Sequence, residues 1–188
     1  MKLGCIVMAA GNASRFGSNK LLAQLHGKPL IAYALDALPA DKFSAIVVVS
    51  QYEEVLNLAE SLGYTAIRNL HPERGQSHSI QLGLAAVSDC DGVLFQVADQ
   101  PHLRRESIAS LTELFAAHPD TVVGLAHEGQ RGNPCLFPSR FFPELMAIRG
   151  DRGGNVVISQ HPEALHLLEV DARELLDVDT PDILAQLQ

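Results

Sequence analysis

Positive charge is scarce in this sequence: 14 Lys and Arg stand against 22 Asp and Glu, for a net charge of −8. Duplex binding needs cations that displace counterions from phosphates, so this balance argues against a nucleic-acid partner, although a local cationic patch can still hold a small anion. Cysteine is scarce too. Cys5, Cys90 and Cys135 are odd in number and far apart, and two lie in apolar runs. They read as reduced core thiols of a cytoplasmic protein, not as disulfides or zinc ligands. No apolar run approaches the length that spans a membrane. The eight histidines are dispersed, and without H-E-x-x-H, C-x-x-C or G-x-S-x-G spacing they support neither a zinc site nor a serine nucleophile elbow. Cys90 lacks an activating partner nearby in sequence, so covalent catalysis is disfavoured.

What remains is an ordinary globular composition, 47% hydrophobic and 19% charged over 188 residues. A chain of that size can bury about 70% of its unfolded surface around one core. The opening MKLGCIVMAAG imitates a signal peptide, but it reads equally as a first parallel strand running into a glycine turn, and the strand is the preferred reading. The sequon Asn12-Ala13-Ser14 then never meets a glycosylation machine.

Short β-branched or apolar runs alternate with stretches of helical periodicity. Strands are expected at residues 3–8, 45–50, 65–68, 92–98 and 121–126, with helices at 30–38, 53–62, 79–87 and 106–117. Beyond Gly129 the rhythm loosens. CLFP reads as a strand, RFFPELMAI as a helix, GDRGGN as a glycine-rich loop and 165–170 as a strand. Thr180 can then N-cap a last helix with Pro181 at its first position. The alternation predicts an α/β fold with a mainly parallel sheet and helices on both faces, and no linker divides the chain.

In open parallel sheets ligands bind beyond the carboxyl ends of the strands. The stretch VMAAGNASRFGSNKLL lies there, after the first strand. Gly11 can take positive φ, small neighbours let backbone N–H groups approach an anion, and Arg15 and Lys20 add charge. The G-x-G-x-x-G fingerprint fails at Ala13 and Phe16, and the P-loop fails because Gly17 precedes Ser-Asn-Lys. The alternative is a tight connection without a ligand.

The segment AAGNASRFGSNKLL resembles the A-A-G-x-x-x-R-x-G-x-x-K signature of nucleotidyltransferases with a glycosyltransferase-A-like fold, most closely the molybdenum cofactor cytidylyltransferase family, which are MobA-like NTP transferases. Ala13 stands where that family usually has Gly or Ser. ERGQSHSIQLGL resembles its G-x-S-x-S segment and following glycine, VADQPHL its A-D-x-P element, RGNPCLF its G-x-P segment, RGDRGG its G-D-x-G loop, and LLDVDTPDIL its closing D-x-D-T-P. Six motifs occur in family order.

The resemblance implies a Rossmann-like, glycosyltransferase-A-type fold over 1–188 as a single nucleotidyltransferase domain, with 1–128 binding nucleotide and 129–188 binding the acceptor and completing the metal site. Nucleotide contacts are expected from Ala9, Ala10, Gly11, Asn12, Ala13, Ser14, Arg15, Lys20, Gly75, Ser77, Ser79 and Gly83. The two serines serve equally as helix-start caps. Acceptor contacts are expected from Asn133, Pro134, Gly150 and Asp151.

Asp99 follows a wholly apolar strand, where an unpaired carboxylate is costly to desolvate. It reads as a Mg2+ ligand, the alternative being a cap for the next helix. Asp177 and Asp179 alternate along an extended segment and so point the same way. The alternative is a solvated strand edge. The resemblance implies that one of Asp177 and Asp179 completes the metal site with Asp99, and Asp179 is the preferred candidate. Lys20, Arg15 and Asp99 form the expected catalytic set, with Lys20 offsetting charge on leaving pyrophosphate.

These readings converge on transfer of CMP from CTP to a molybdopterin-type cofactor, with Mg2+ as the metal. The CTP choice rests on Ala10, where guanylyltransferase relatives tend to carry Gly. A GTP-dependent guanylyltransferase, a sugar- or alcohol-phosphate transferase of the same fold, and a non-catalytic cofactor chaperone are the alternatives. An apo-molybdoenzyme or its maturation factor is a possible protein partner, while a membrane or nucleic-acid partner is not expected.

Overall fold

The computed structural model describes residues 1–11, 16 and 19–188. Strand β1 (Leu3–Ala9) leads into a short hairpin of β2 (Gln24–Leu25) and β3 (Lys28–Pro29), then helix α1 (Leu30–Asp36). Next come β4 (Ala45–Ser50), α2 (Glu53–Ser61), β5 (Thr65–Arg68), α3 (Gln76–Ala86) and β6 (Gly92–Val97). Helix α4 (Arg105–Ala117) precedes β7 (Val122–His127) and β8 (Gln130–Pro138). The chain ends with α5 (Phe142–Ala147), α6 (Asn155–Gln160), β9 (Leu165–Glu169) and α7 (Pro181–Gln186).

Seven strands form one sheet in the order β5-β4-β1-β6-β8-β7-β9. Every neighbouring pair is parallel except the two made by β8, which runs against both β6 and β7. Alternation along the buried strands divides the core into two layers. Cys5, Val7, Val48 and Leu94 face α1, α2 and α4 through Ile31, Leu35, Val55, Ile108 and Phe115. Ile6, Val47, Val49 and Val93 face α3, α5 and α6 through Ile80, Leu84, Leu145 and Val157. Continuously apolar strands are what a sheet covered on both sides requires. All three cysteines are buried and free.

The β2-β3 hairpin has no counterpart among the expected elements, α3 starts at Gln76 and not at 79, and two later elements also depart from expectation. The CLFP strand extends back to Gln130, taking in the G-x-P segment. Helix α6 begins at the end of the expected glycine loop, because Val157 and Ile158 have an apolar layer to enter. The last helix starts as its sequence indicates, with the Thr180 side chain accepting from Ile183 N at 3.3 Å. Its Leu184 joins Val178, Leu25 and Leu30 in a third cluster, docking the C-terminal segment on the β2-β3 hairpin.

Candidate active site

From β1 the chain crosses to β4 and β5 on one side, and from β6 to the strands on the other. The crevice at such a switch point, beyond the strand carboxyl ends, is where open α/β sheets bind ligands. A cleft of about 610 Å³ lies there, bounded by Ala10 and Gly11 after β1 and by Ala98 and Asp99 after β6. Asn69, Glu73, Gly75 and Ser79 supply one wall, and Lys20 and Asp151 also line the cleft.

Lys20 rides on a single 3-10 turn that Asn19 starts by accepting from Leu21 N at 3.1 Å. Its Nζ lies 2.5 Å from Asp99 Oδ2 and 3.1 Å from Asp179 Oδ1. Burial works against the Lys20 charge, but Asp99 and Asp179 outweigh it and raise its pKa. Val178 is fully buried, and its N–H donates to the Asp99 carbonyl at 2.9 Å. That anchor leaves Asp177 and Asp179 alternating on either side of a buried residue. Gln100 Nε2 donates to Asp177 Oδ1 at 3.0 Å. Burial first, then the Asp99 charge, push the Asp177 carboxyl up to about 6.

A cation already bridges two carboxylates here, which shows that the donor set suits positive charge. No three His, Cys, Asp or Glu side chains among the described residues form a complete metal cage. A divalent ion at this place would fill its shell with phosphate oxygens and water, as Mg2+ does when it binds through one or two carboxylates. The cleft also carries Glu73 and Asp151, with Lys20 its one cation among the described residues. A polyphosphate entering alone would meet these negative groups, so a bound cation fits the site.

The β1 loop is held by a segment that sequence reading missed. Ser50 Oγ, Gln51 Nε2 and Tyr52 OH donate to the carbonyls of Ala9, Ala10 and Gly11 at 2.8, 3.0 and 3.2 Å. Three consecutive carbonyls are thereby fixed by three consecutive residues at the end of β4. Asn69 follows β5 in the same way. Its Nδ2 donates to Ser79 Oγ at 3.0 Å and its Oδ1 accepts from His71 N at 2.9 Å. Their signal was position alone, the carboxyl end of a parallel strand.

Gly75 has φ of +80°, and a Cβ there would lie 2.5 Å from the Gly150 carbonyl carbon. This contact seats the G-x-S-x-S segment on the G-D-x-G loop, where Ser77 N donates to Gly150 O at 3.2 Å and Gln76 N to Asp151 Oδ1 at 3.3 Å.

Of the expected site residues, Ala10, Gly11, Lys20, Gly75, Ser79, Asp99 and Asp151 share the main cleft. Asn12, Ala13, Ser14 and Arg15 lie outside the described residues. Gly83 is corrected to a packing position, since a Cβ there would lie 2.6 Å from Ile6 Cγ2. Ser77 is buried inside the first turn of α3 and is neither a cap nor a lining residue. Asn133 lines a smaller adjoining cavity of about 90 Å³, and Pro134 is buried and lines neither space.

Residues 5–165 match the MobA-like NTP transferase domain. The chain is similar to purine catabolism protein PucB of Bacillus subtilis, 30% identical over 94% of this chain and 91% of that one. It is 28% identical to molybdenum cofactor guanylyltransferase of Vibrio cholerae, over 96% and 89%. The fold is shared with CMP:2-keto-3-deoxy-manno-octonic acid synthetase, solved with CTP, at a TM-score of 0.81, 14% identity and coverage of 100% and 97%.

Proposed function

This chain belongs to the MobA-like NTP transferase family and is a nucleotidyltransferase, and from that premise we propose that it moves CMP from CTP to a molybdopterin-type cofactor. The observation that carries the reading is the Lys20 ammonium held between Asp99 and Asp179 at the strand carboxyl ends. That arrangement suits a phosphoryl centre in which charge must be neutralised on both sides.

In this reading an acceptor phosphate oxygen forms a bond to the α-phosphorus of CTP. The bond from that phosphorus to the β-bridging oxygen breaks, and pyrophosphate departs with the electron pair. The nucleophile is ionised at neutral pH, so positioning and charge neutralisation suffice and no general base is needed. Lys20 stabilises the leaving charge. Asp99 and Asp179, with Asp177 beside them, would hold Mg2+, which supplies Lewis-acid neutralisation of the phosphates. Ser50, Gln51 and Tyr52 keep the β1 loop against the polyphosphate, while Asn69 braces the loop that faces the nucleoside. The buried free thiols fit residence in the cytoplasm, and no described helix is long and apolar enough to cross a membrane.

GTP is the second reading, because the Vibrio cholerae relative is named a guanylyltransferase; the choice of CTP rests on Ala10. Incubation with molybdopterin, Mg2+ and CTP, GTP or ATP singly tests both through pyrophosphate release. CTP-dependent release that Asp99→Ala lowers by about 100-fold or more supports the account. Full turnover in that variant contradicts the metal assignment, and GTP-only release replaces the donor.

A further inference from the structure

Beside the main cleft, and joined to it through Met8, Gln76 and Val97, lies the cavity of about 90 Å³. Its described lining contains no Asp or Glu and one cation, Arg131. That guanidinium is half-buried and forms no ion pair with a described carboxylate. Nη1 donates to Gly132 O at 3.2 Å and to Cys135 Sγ at 3.1 Å, and Nη2 donates to Asn155 Oδ1. All three acceptors are neutral, so the charge itself is unanswered.

The backbone is shaped to hold Arg131 there. Gly124 of β7 pairs with Cys135 and Ala126 pairs with Arg131, so two steps on β7 face four on β8. Extra residues in one strand bend it locally and re-aim side chains, commonly beside active sites. Gly124 leaves room for the arginine stem, since a Cβ there would stand 3.4 Å from Arg131 Cδ and Cγ and 3.0 Å from Cys135 Sγ. Asn133, on the extra stretch, lines the same cavity.

We propose that Arg131 binds the phosphate monoester of the acceptor and delivers its oxygen toward the nucleotide. This rests on the nucleotidyltransferase reading above and adds the residue that receives the nucleophile. A phosphate dianion approaching Asp99, Asp151 and Glu73 is repelled, whereas one strand farther along it meets an unanswered guanidinium in a space of phosphate size. Guanidinium is matched to phosphate by its planar fork of donors. Asn133 supplies an amide in the same cavity, and Asn155 Oδ1 accepts from Arg131 Nη2 at its wall.

The test separates this site from the reaction. With a non-hydrolysable CTP analogue and Mg2+ occupying the main cleft, inorganic phosphate is titrated into wild type, Arg131→Gln and Arg131→Lys by calorimetry. The expected result is roughly tenfold or greater loss of phosphate affinity in Arg131→Gln, partial recovery in Arg131→Lys, and unchanged CTP affinity in both. In turnover assays the KM for molybdopterin rises by a similar factor in Arg131→Gln, with the KM for CTP unmoved. Unaltered phosphate affinity, or equal loss of CTP affinity, overturns the assignment. Phosphate binding that depends on Arg131 in a wild-type protein inactive with molybdopterin keeps the site and removes the acceptor. Normal turnover in Arg131→Gln keeps the acceptor and removes the site.

Discussion

Lys20 holds two carboxylates at once, Asp99 at 2.5 Å and Asp179 at 3.1 Å, from a position only 19% exposed at its side chain. Removing it leaves Asp99 and Asp179 without a described cationic partner. Lys20→Met is expected to lower kcat by about 100- to 1000-fold, the scale of losing one charge-stabilising donor from a preorganised site. The KM for CTP should change far less, because the leaving-group charge develops in the transition state. Steady-state pyrophosphate release separates the two parameters, and a change confined to KM refutes the leaving-group role. Sequence motifs singled out Lys20, Asp99, Asp177 and Asp179; the structure joins Lys20 to Asp99 and Asp179, while Asp177 pairs with Gln100 near them. Ser50, Gln51 and Tyr52 escaped notice because their partners are backbone carbonyls about forty residues away, as the bonds to Ala9, Ala10 and Gly11 record. No local pattern signals such contacts.

Among the elements, α3 involves two glycines with different duties, Gly75 at its N-cap and Gly83 within it. Gly83 lets the helix press against β1, with Ile6 atoms where a Cβ would be. Gly83→Ala therefore overpacks a core and is expected to cost about 1–3 kcal/mol, or roughly 2–10 °C in Tm, while the folded enzyme keeps its KM for CTP. Gly75→Ala meets backbone at Gly150 and also needs positive φ. It should lower Tm by at least a similar amount and raise the KM for nucleotide, since the loop shift opens the cleft wall. Thermal melts and saturation kinetics distinguish them; equal kinetic effects from both contradict the division. The strand at 45–50 was legible because a continuous apolar run suits a covered sheet, and 65–68, at the sheet edge, was legible from its β-branched Thr65 and Ile67. The first half of β8 was not, because Gly132, Asn133 and Pro134 are poor strand formers that tertiary pairing overrides. Helix α6 was hidden behind the glycines that precede it.

Over the whole molecule, the sheet supplies a switch point, and the C-terminal segment returns to it across the β2-β3 hairpin. Because Lys20 already cross-links Asp99 to Asp179, the fold does not depend on a metal at the cleft. Chelation is expected to abolish turnover yet shift Tm by less than about 2 °C, a change near or below 1 kcal/mol for a chain of this size. Mg2+ should restore activity. A large fall in Tm on chelation would mean a structural metal instead. Attack at the α-phosphorus, and not at the γ-phosphorus, is read by isotopic labelling. With molybdopterin as acceptor, label from α-³²P CTP should enter the cofactor product while label from γ-³²P CTP leaves in pyrophosphate. Transfer of the γ-label to the acceptor, or release of the α-label only as free CMP, would contradict the account.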